Sequence, residues 1–244
     1  MAFIMGIYVL RSAHFRAYLQ KFRFTFLEKV RSIQIIKIGA PVAMQYIFEI
    51  SAFSGAAVLI GTIGTAEQAA HQVAISLAAL TYMVASGVAS AATIKTGNYF
   101  GQRNFSQLRL SAIASYHVVI VFMTCTALLF IFASNALPSL YTQDSSVIKI
   151  AAQLLIIAGF FQLFDGTQVV GLGILRGIGD VKIPTYITFL SYWVMGIPLG
   201  YLFGIVLKLG VNGIWYGLTI GLLAASVLLF IRFQRLTRTL AQIN

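Results

Sequence analysis

Two acidic side chains stand where acids are costly. Glu49 and Asp165 lie well inside stretches that are otherwise apolar. An ionisable residue at the centre of a membrane helix costs about 2.5–3.5 kcal/mol even on the lenient insertion scale. Each carboxyl has polar neighbours at helical spacing. Gln45 precedes Glu49 by four residues, and Gln162 and Gln168 flank Asp165 at three residues on either side. Residues three and four apart share a helix face. The pattern therefore predicts two polar stripes facing a hydrated cavity or a helix–helix seam, with Gln45, Gln162 and Gln168 along the pathway. No Lys or Arg stands mid-run beside them. A carboxylate stripped of water and given no counter-charge takes up a proton or a small cation. That is the chemistry of cation coupling in transport. The other reading is a protonated carboxyl that joins two helices by a hydrogen bond.

Other chemistries find little support. His14, His71 and His117 are far apart and show no metal-ligand spacing, and the single cysteine, Cys125, sits in an apolar run. No nucleophile has a base at motif spacing. Gly171–Gly177 has the wrong glycine spacing for a dinucleotide loop, so no cofactor is expected.

The elements that must carry Glu49 and Asp165 follow from composition. The 244 residues are 59% hydrophobic and 9% charged, with mean hydropathy +0.88. Soluble domains are about 45–50% apolar and about 25% charged, and a soluble core of this size cannot hide the excess. A soluble enzyme and a nucleic-acid-binding domain are excluded, so the net charge of +11 needs another source. Six runs are long enough to cross about 30 Å of hydrocarbon: Ile38–Ile60, Gln72–Ile94, Ala112–Ser134, Ile150–Leu172, Pro184–Leu207 and Val211–Ile231. None alternates as barrel strands do, so the fold class is all-α, a polytopic membrane helix bundle.

The basic residues orient it. All of the 17 Lys and Arg except Lys149 and Lys208 fall in 1–37, 95–111, 173–183 and 232–244. Cytoplasmic loops collect positive charge, so both termini are expected in the cytoplasm. Residues 1–10 read as the tail of a preceding transmembrane helix. Residues 11–37 read as a basic, amphipathic interfacial linker helix, because Phe15, Leu19, Phe22, Phe26, Val30 and Ile33 recur on one face. Residues 38–231 form the six-helix lobe, and 232–244 a basic tail. Pro41 and Pro198 interrupt their runs, although an early proline such as Pro41 also suits a helix start. Gly196, Gly200 and Gly204, and likewise Gly213, Gly217 and Gly221, predict closely packed helices. Tyr82, Tyr186, Tyr192, Trp193 and Trp215 suit either a cavity wall or an interfacial belt.

Several of these segments read together. The loop after the second run is Thr96-Gly-Asn-Tyr-Phe-Gly-Gln-Arg-Asn104, containing Gly101 and Arg103. The fourth run ends Val169-Val-Gly-Leu-Gly-Ile-Leu-Arg-Gly-Ile-Gly-Asp180, containing Arg176, Gly177 and Asp180. The first opens Gly39-Ala-Pro41 and carries Phe48-Glu49, and the fifth holds Ser191-Tyr-Trp193 and Gly196-Ile-Pro-Leu-Gly-Tyr201. From about Ile35 onward the chain resembles the carboxy-terminal half of the multidrug and toxic compound extrusion (MATE) family, near its NorM-like bacterial members.

The resemblance implies one six-helix lobe of a twelve-helix secondary transporter in the bacterial inner membrane. Such a protein exports amphipathic or cationic small molecules by alternating access, in exchange for Na+ or H+. The family's carboxy-lobe cation site falls on Glu49 and Asp165, which would make Na+ the metal held there. A tyrosine that joins this site in some members is Phe161 here, which offers no oxygen. The implied partners are the substrate, the bilayer, and a missing amino-terminal lobe or a second chain. Two rival readings are a lipid-linked oligosaccharide flippase of the same superfamily and a non-transporting membrane remnant. The flippase would be expected to carry basic residues in its cleft, and none stands mid-run.

Overall fold

The computed structural model describes residue 12 and residues 29–241. The tail assigned to 1–10 and most of the linker assigned to 11–37 lie outside the described residues. Among the described residues, six helices are long and apolar enough to cross a membrane. They are α1 (Lys29–Gly61), α2 (Thr65–Gly101), α3 (Phe105–Phe132), α4 (Ser145–Gly177), α5 (Lys182–Val206) and α6 (Gly210–Ala241). A single helical turn, Ala136–Ser139, lies between α3 and α4. The chain divides into two compact units, 1–39 and 40–244. In the first, residues 29–39 form the opening turns of α1.

The helices outrun the apolar runs. The expected connections at 61–71, 95–111 and 173–183 are largely helical, the basic tail is helical as far as Ala241, and residues 29–37 belong to α1 rather than to a separate linker. Hydropathy marks where hydrocarbon ends; backbone hydrogen bonding stops only where a cap or a left-handed residue stops it. Helix α2 ends in that way. Arg103, at φ 55°, donates to Phe100 O, and Asn104 N donates to Tyr99 O. This is the paired closure of a Schellman turn. Asn104 then starts α3, its side chain accepting from Gln107 N at 3.1 Å. Helix α4 closes on the same plan, with Gly179 at φ 82° bonded to Arg176 O and Asp180 N to Leu175 O.

Helix α4 is the centre of the second unit, packed on α2, α3 and α6. Glycines set these approaches. A Cβ at Gly173 would stand 2.5 Å from Ala89 O on α2, and one at Gly177 would meet Thr93 O at 2.6 Å. The expected glycine seam joins α5 to α6. Gly217 lies against the backbone of Gly200 and Gly196, and a Cβ at Gly213 would stand 2.6 Å from Gly204 N.

The two prolines behave differently. Pro41 lies inside a continuous α1, and its carbonyl accepts from Thr185 Oγ1 at 3.0 Å, so it does not break the helix. Pro198 sits between two π-helical stretches of α5, Leu190–Gly196 and Leu202–Val206. Its missing N–H removes one rung of the ladder, and wider turns accompany the gap on both sides.

Candidate functional site

From Pro41 onward, α1 meets its neighbours through long side chains. Phe53 packs edge-on against Phe161 and Tyr192, and Phe48 lies 5.0 Å from Phe189 between ring centroids. This spacing leaves a cavity of about 450 Å³ between α1, α2 and α4. Helix α1 supplies Tyr46, Glu49 and Phe53, α2 supplies Tyr82, and α4 supplies Phe161 and Asp165. Both carboxyls are buried, and both face this one space. The rest of the wall is mainly Phe, Ile and Ala. Tyr82 shares this wall with Glu49.

The glutamines sit elsewhere. Gln45 turns toward the start of α5, its Nε2 donating to Val181 O and Thr185 Oγ1, each at 3.1 Å. Gln168 accepts from the Tyr192 hydroxyl at 2.7 Å. Gln162 is fully buried with neither amide atom partnered. None of the three lines the carboxyl cavity. A shared helix face is wide enough for neighbouring side chains to lean toward different helices, and these three do.

The motif residues hold the ends of the bundle. Gly101 precedes the turn at Arg103, and Gly177 is the contact of α4 with α2. Asp180 accepts from Arg232 Nε at 2.7 Å, tying the end of α4 to α6. Arg176 places its guanidinium 5.7 Å from the ring centre of Tyr46, a cation–π contact against a residue of the cavity wall.

Two features were beyond the sequence. Tyr82 was one of several aromatic residues suited to wall or belt; only the packing of α2 on α4 assigns it to the cavity. His71 is buried within α2, its Nδ1 accepting from Trp215 Nε1 at 3.2 Å. Phe161 fills its position with a ring packed on Phe53 and Trp215, so the hydroxyl oxygens of the cavity wall come from α1 and α2 rather than from α4.

Known proteins give a family for this arrangement. The MatE family model matches residues 41–202. The chain is 39% identical over 209 residues to a "Probable multidrug resistance protein NorM" of Acinetobacter baylyi, covering 86% of this chain and 46% of that protein. It is 36% identical over 238 residues to the "Multidrug resistance protein MdtK" of Photorhabdus laumondii, covering 96% and 52%. The chain thus spans about half the length of the curated relatives it matches. Its fold superposes on the eukaryotic MATE transporter AtDTX14 with a TM-score of 0.86 at 21% identity, covering 99% of this chain and 55% of that one. The chain is a multi-pass membrane protein and belongs to the MatE family.

Proposed function

We propose that the chain acts as one lobe of a cation-coupled antiporter that exports amphipathic or cationic small molecules across the bacterial inner membrane. It is a secondary transporter, not an enzyme. The observation that carries this reading is the pair of carboxyls in one cavity whose wall is otherwise mainly apolar. A proton or Na+ at Glu49 and Asp165 relieves two desolvated charges at once. Tyr82 steadies Glu49 while the ion comes and goes. Ion and exported compound favour different conformations, so binding of one releases the other. Alternating access needs two bodies moving against each other. The second lobe comes from more of the same polypeptide or from another chain. The distribution of Lys and Arg supports a cytoplasmic position for both ends of this chain.

The test is export of a fluorescent amphipathic cation from membranes that hold the complete transporter. Glu49→Gln and Asp165→Asn are each expected to abolish ion-driven export while leaving the protein in the membrane. Unchanged export in both variants overturns the reading.

A further inference from the structure

A groove of about 650 Å³ lies between α3, α4 and α6 and contains neither carboxyl. The Tyr116 hydroxyl on its wall is buried without a partner, and the three aliphatic hydroxyls are turned inward. Thr124 donates to Ile120 O at 2.7 Å, Thr167 to Leu163 O at 2.9 Å and Ser226 to Leu223 O at 2.9 Å. Satisfied within their own helices, they leave a surface suited to hydrocarbon.

The groove runs from Ile113 to Thr124 on α3 and from Gln234 to Leu223 on α6. Eleven residue steps at 1.5 Å make about 16 Å, close to half of a hydrocarbon core of about 30 Å. It is therefore about as deep as one leaflet. One end is basic. Arg109, one turn before Ile113 on α3, donates from Nη2 to Gln234 Oε1 at 2.9 Å. That bond brings the start of α3 beside the end of α6. Arg238 lies one turn beyond Gln234 and is exposed. Neither helix carries an acidic residue. The Gln234 bond commits one of the five guanidinium donors of Arg109.

We propose that this groove seats one acyl chain of an anionic phospholipid, with the lipid phosphate held by Arg109 and Arg238. An apolar channel one leaflet deep, closed at the headgroup level by two guanidinium groups, matches a lipid of that charge. The site does not depend on what Glu49 and Asp165 do.

The test uses the full chain in bilayer nanodiscs of phosphatidylcholine, with a trace of chain-spin-labelled phosphatidylglycerol or phosphatidylcholine. Motionally restricted label is read by electron paramagnetic resonance. Basic residues at a membrane surface attract anionic lipid, and two of them give an expected preference for phosphatidylglycerol of roughly 30-fold. Arg109→Gln combined with Arg238→Gln is expected to bring the two lipids within about twofold of each other. Thr167→Phe, and separately Ile120→Trp on the exposed wall, fill the groove and are expected to remove the preference. Three results would each overturn the proposal: equal restriction of both lipids in the unmodified chain, a preference that survives loss of both arginines, or a preference that survives filling. A groove covered by protein instead gives the first of these.

Discussion

Helix α4 borders two spaces. On one it shows Phe161 and Asp165 to a cavity of about 450 Å³; on the other it shows Leu163, Phe164 and Thr167 to a groove of about 650 Å³. The larger space is the chemically quieter one. The hydroxyls of Thr124, Thr167 and Ser226 return their hydrogens to carbonyls one turn back, so these groups are settled within their own helices. An ionised carboxyl cannot do this. It has no hydrogen to donate and needs a donor or a cation from elsewhere. Glu49 shares its cavity with the Tyr82 hydroxyl, and among the described residues no Lys or Arg lines it. Volume therefore does not single out the acidic cavity in this bundle. Desolvated carboxyls at depth do.

The largest expected effect breaks that comparison at its acidic side. If Glu49 and Asp165 form one unit, Glu49→Gln, Asp165→Asn and the double variant should weaken cation binding alike, by about 10- to 100-fold, the range for a charged hydrogen bond. Additive losses measured in a double-mutant cycle would mean two separate sites.

The next effect compares two glycines of α4. A methyl at Gly173 meets the backbone oxygen of Ala89 at 2.5 Å, whereas one at Gly166 meets the side chain of Met123, at 2.7 Å from Cγ. Backbone cannot yield, while a methionine with three rotatable bonds can. Gly173→Ala should destabilise the chain by about 1–3 kcal/mol, and Gly166→Ala by less. Thermal unfolding in detergent measures both, and an equal loss would contradict the packing described.

A smaller effect separates the two faces by a single hydroxyl. Tyr82→Phe removes a hydroxyl from the wall that Glu49 shares and should weaken cation binding about 2- to 12-fold, matching a net hydrogen bond of about 0.5–1.5 kcal/mol. Thr167→Val in the groove should leave cation binding unchanged. Equal effects would erase the distinction between the two spaces.

The smallest lies outside both. Asp144 caps α4, accepting from Ser146 N at 2.8 Å and Ser146 Oγ at 2.7 Å. These bonds hold its carboxyl below the usual range. Its contribution is then full above the pH at which an unfolded aspartate titrates, and is lost as pH falls through the lowered folded value. Asp144→Ala should flatten that part of the stability–pH curve slightly, as read by thermal unfolding across acid pH.

What the sequence made legible follows the same physics. Burying an acid is costly enough that Glu49 and Asp165 stand out without any structure. Glycines four apart mark close approach because only a missing side chain permits it, and the α5–α6 seam answers to them. Side-chain direction was less legible. Gln45 shares a face with Glu49 by spacing, yet it reaches Thr185 on α5, and spacing carries no information about which neighbour is nearer. Tyr82 was ambiguous because an aromatic ring with one hydroxyl suits a cavity or a membrane interface equally. Helix ends ran past their expected limits because polar residues such as those from Lys95 to Gly101 leave hydrocarbon without leaving the helix.

Competition between Na+ and protons at the cavity tests the central claim most directly. Infrared difference spectra of the purified chain, recorded on adding Na+ at fixed pH, should show the band of a protonated carboxyl lost and that of a carboxylate gained. Glu49→Gln and Asp165→Asn should each erase the change. A spectrum that does not respond to Na+ or to pH, or one that persists in both variants, would contradict a shared cation site at these two residues.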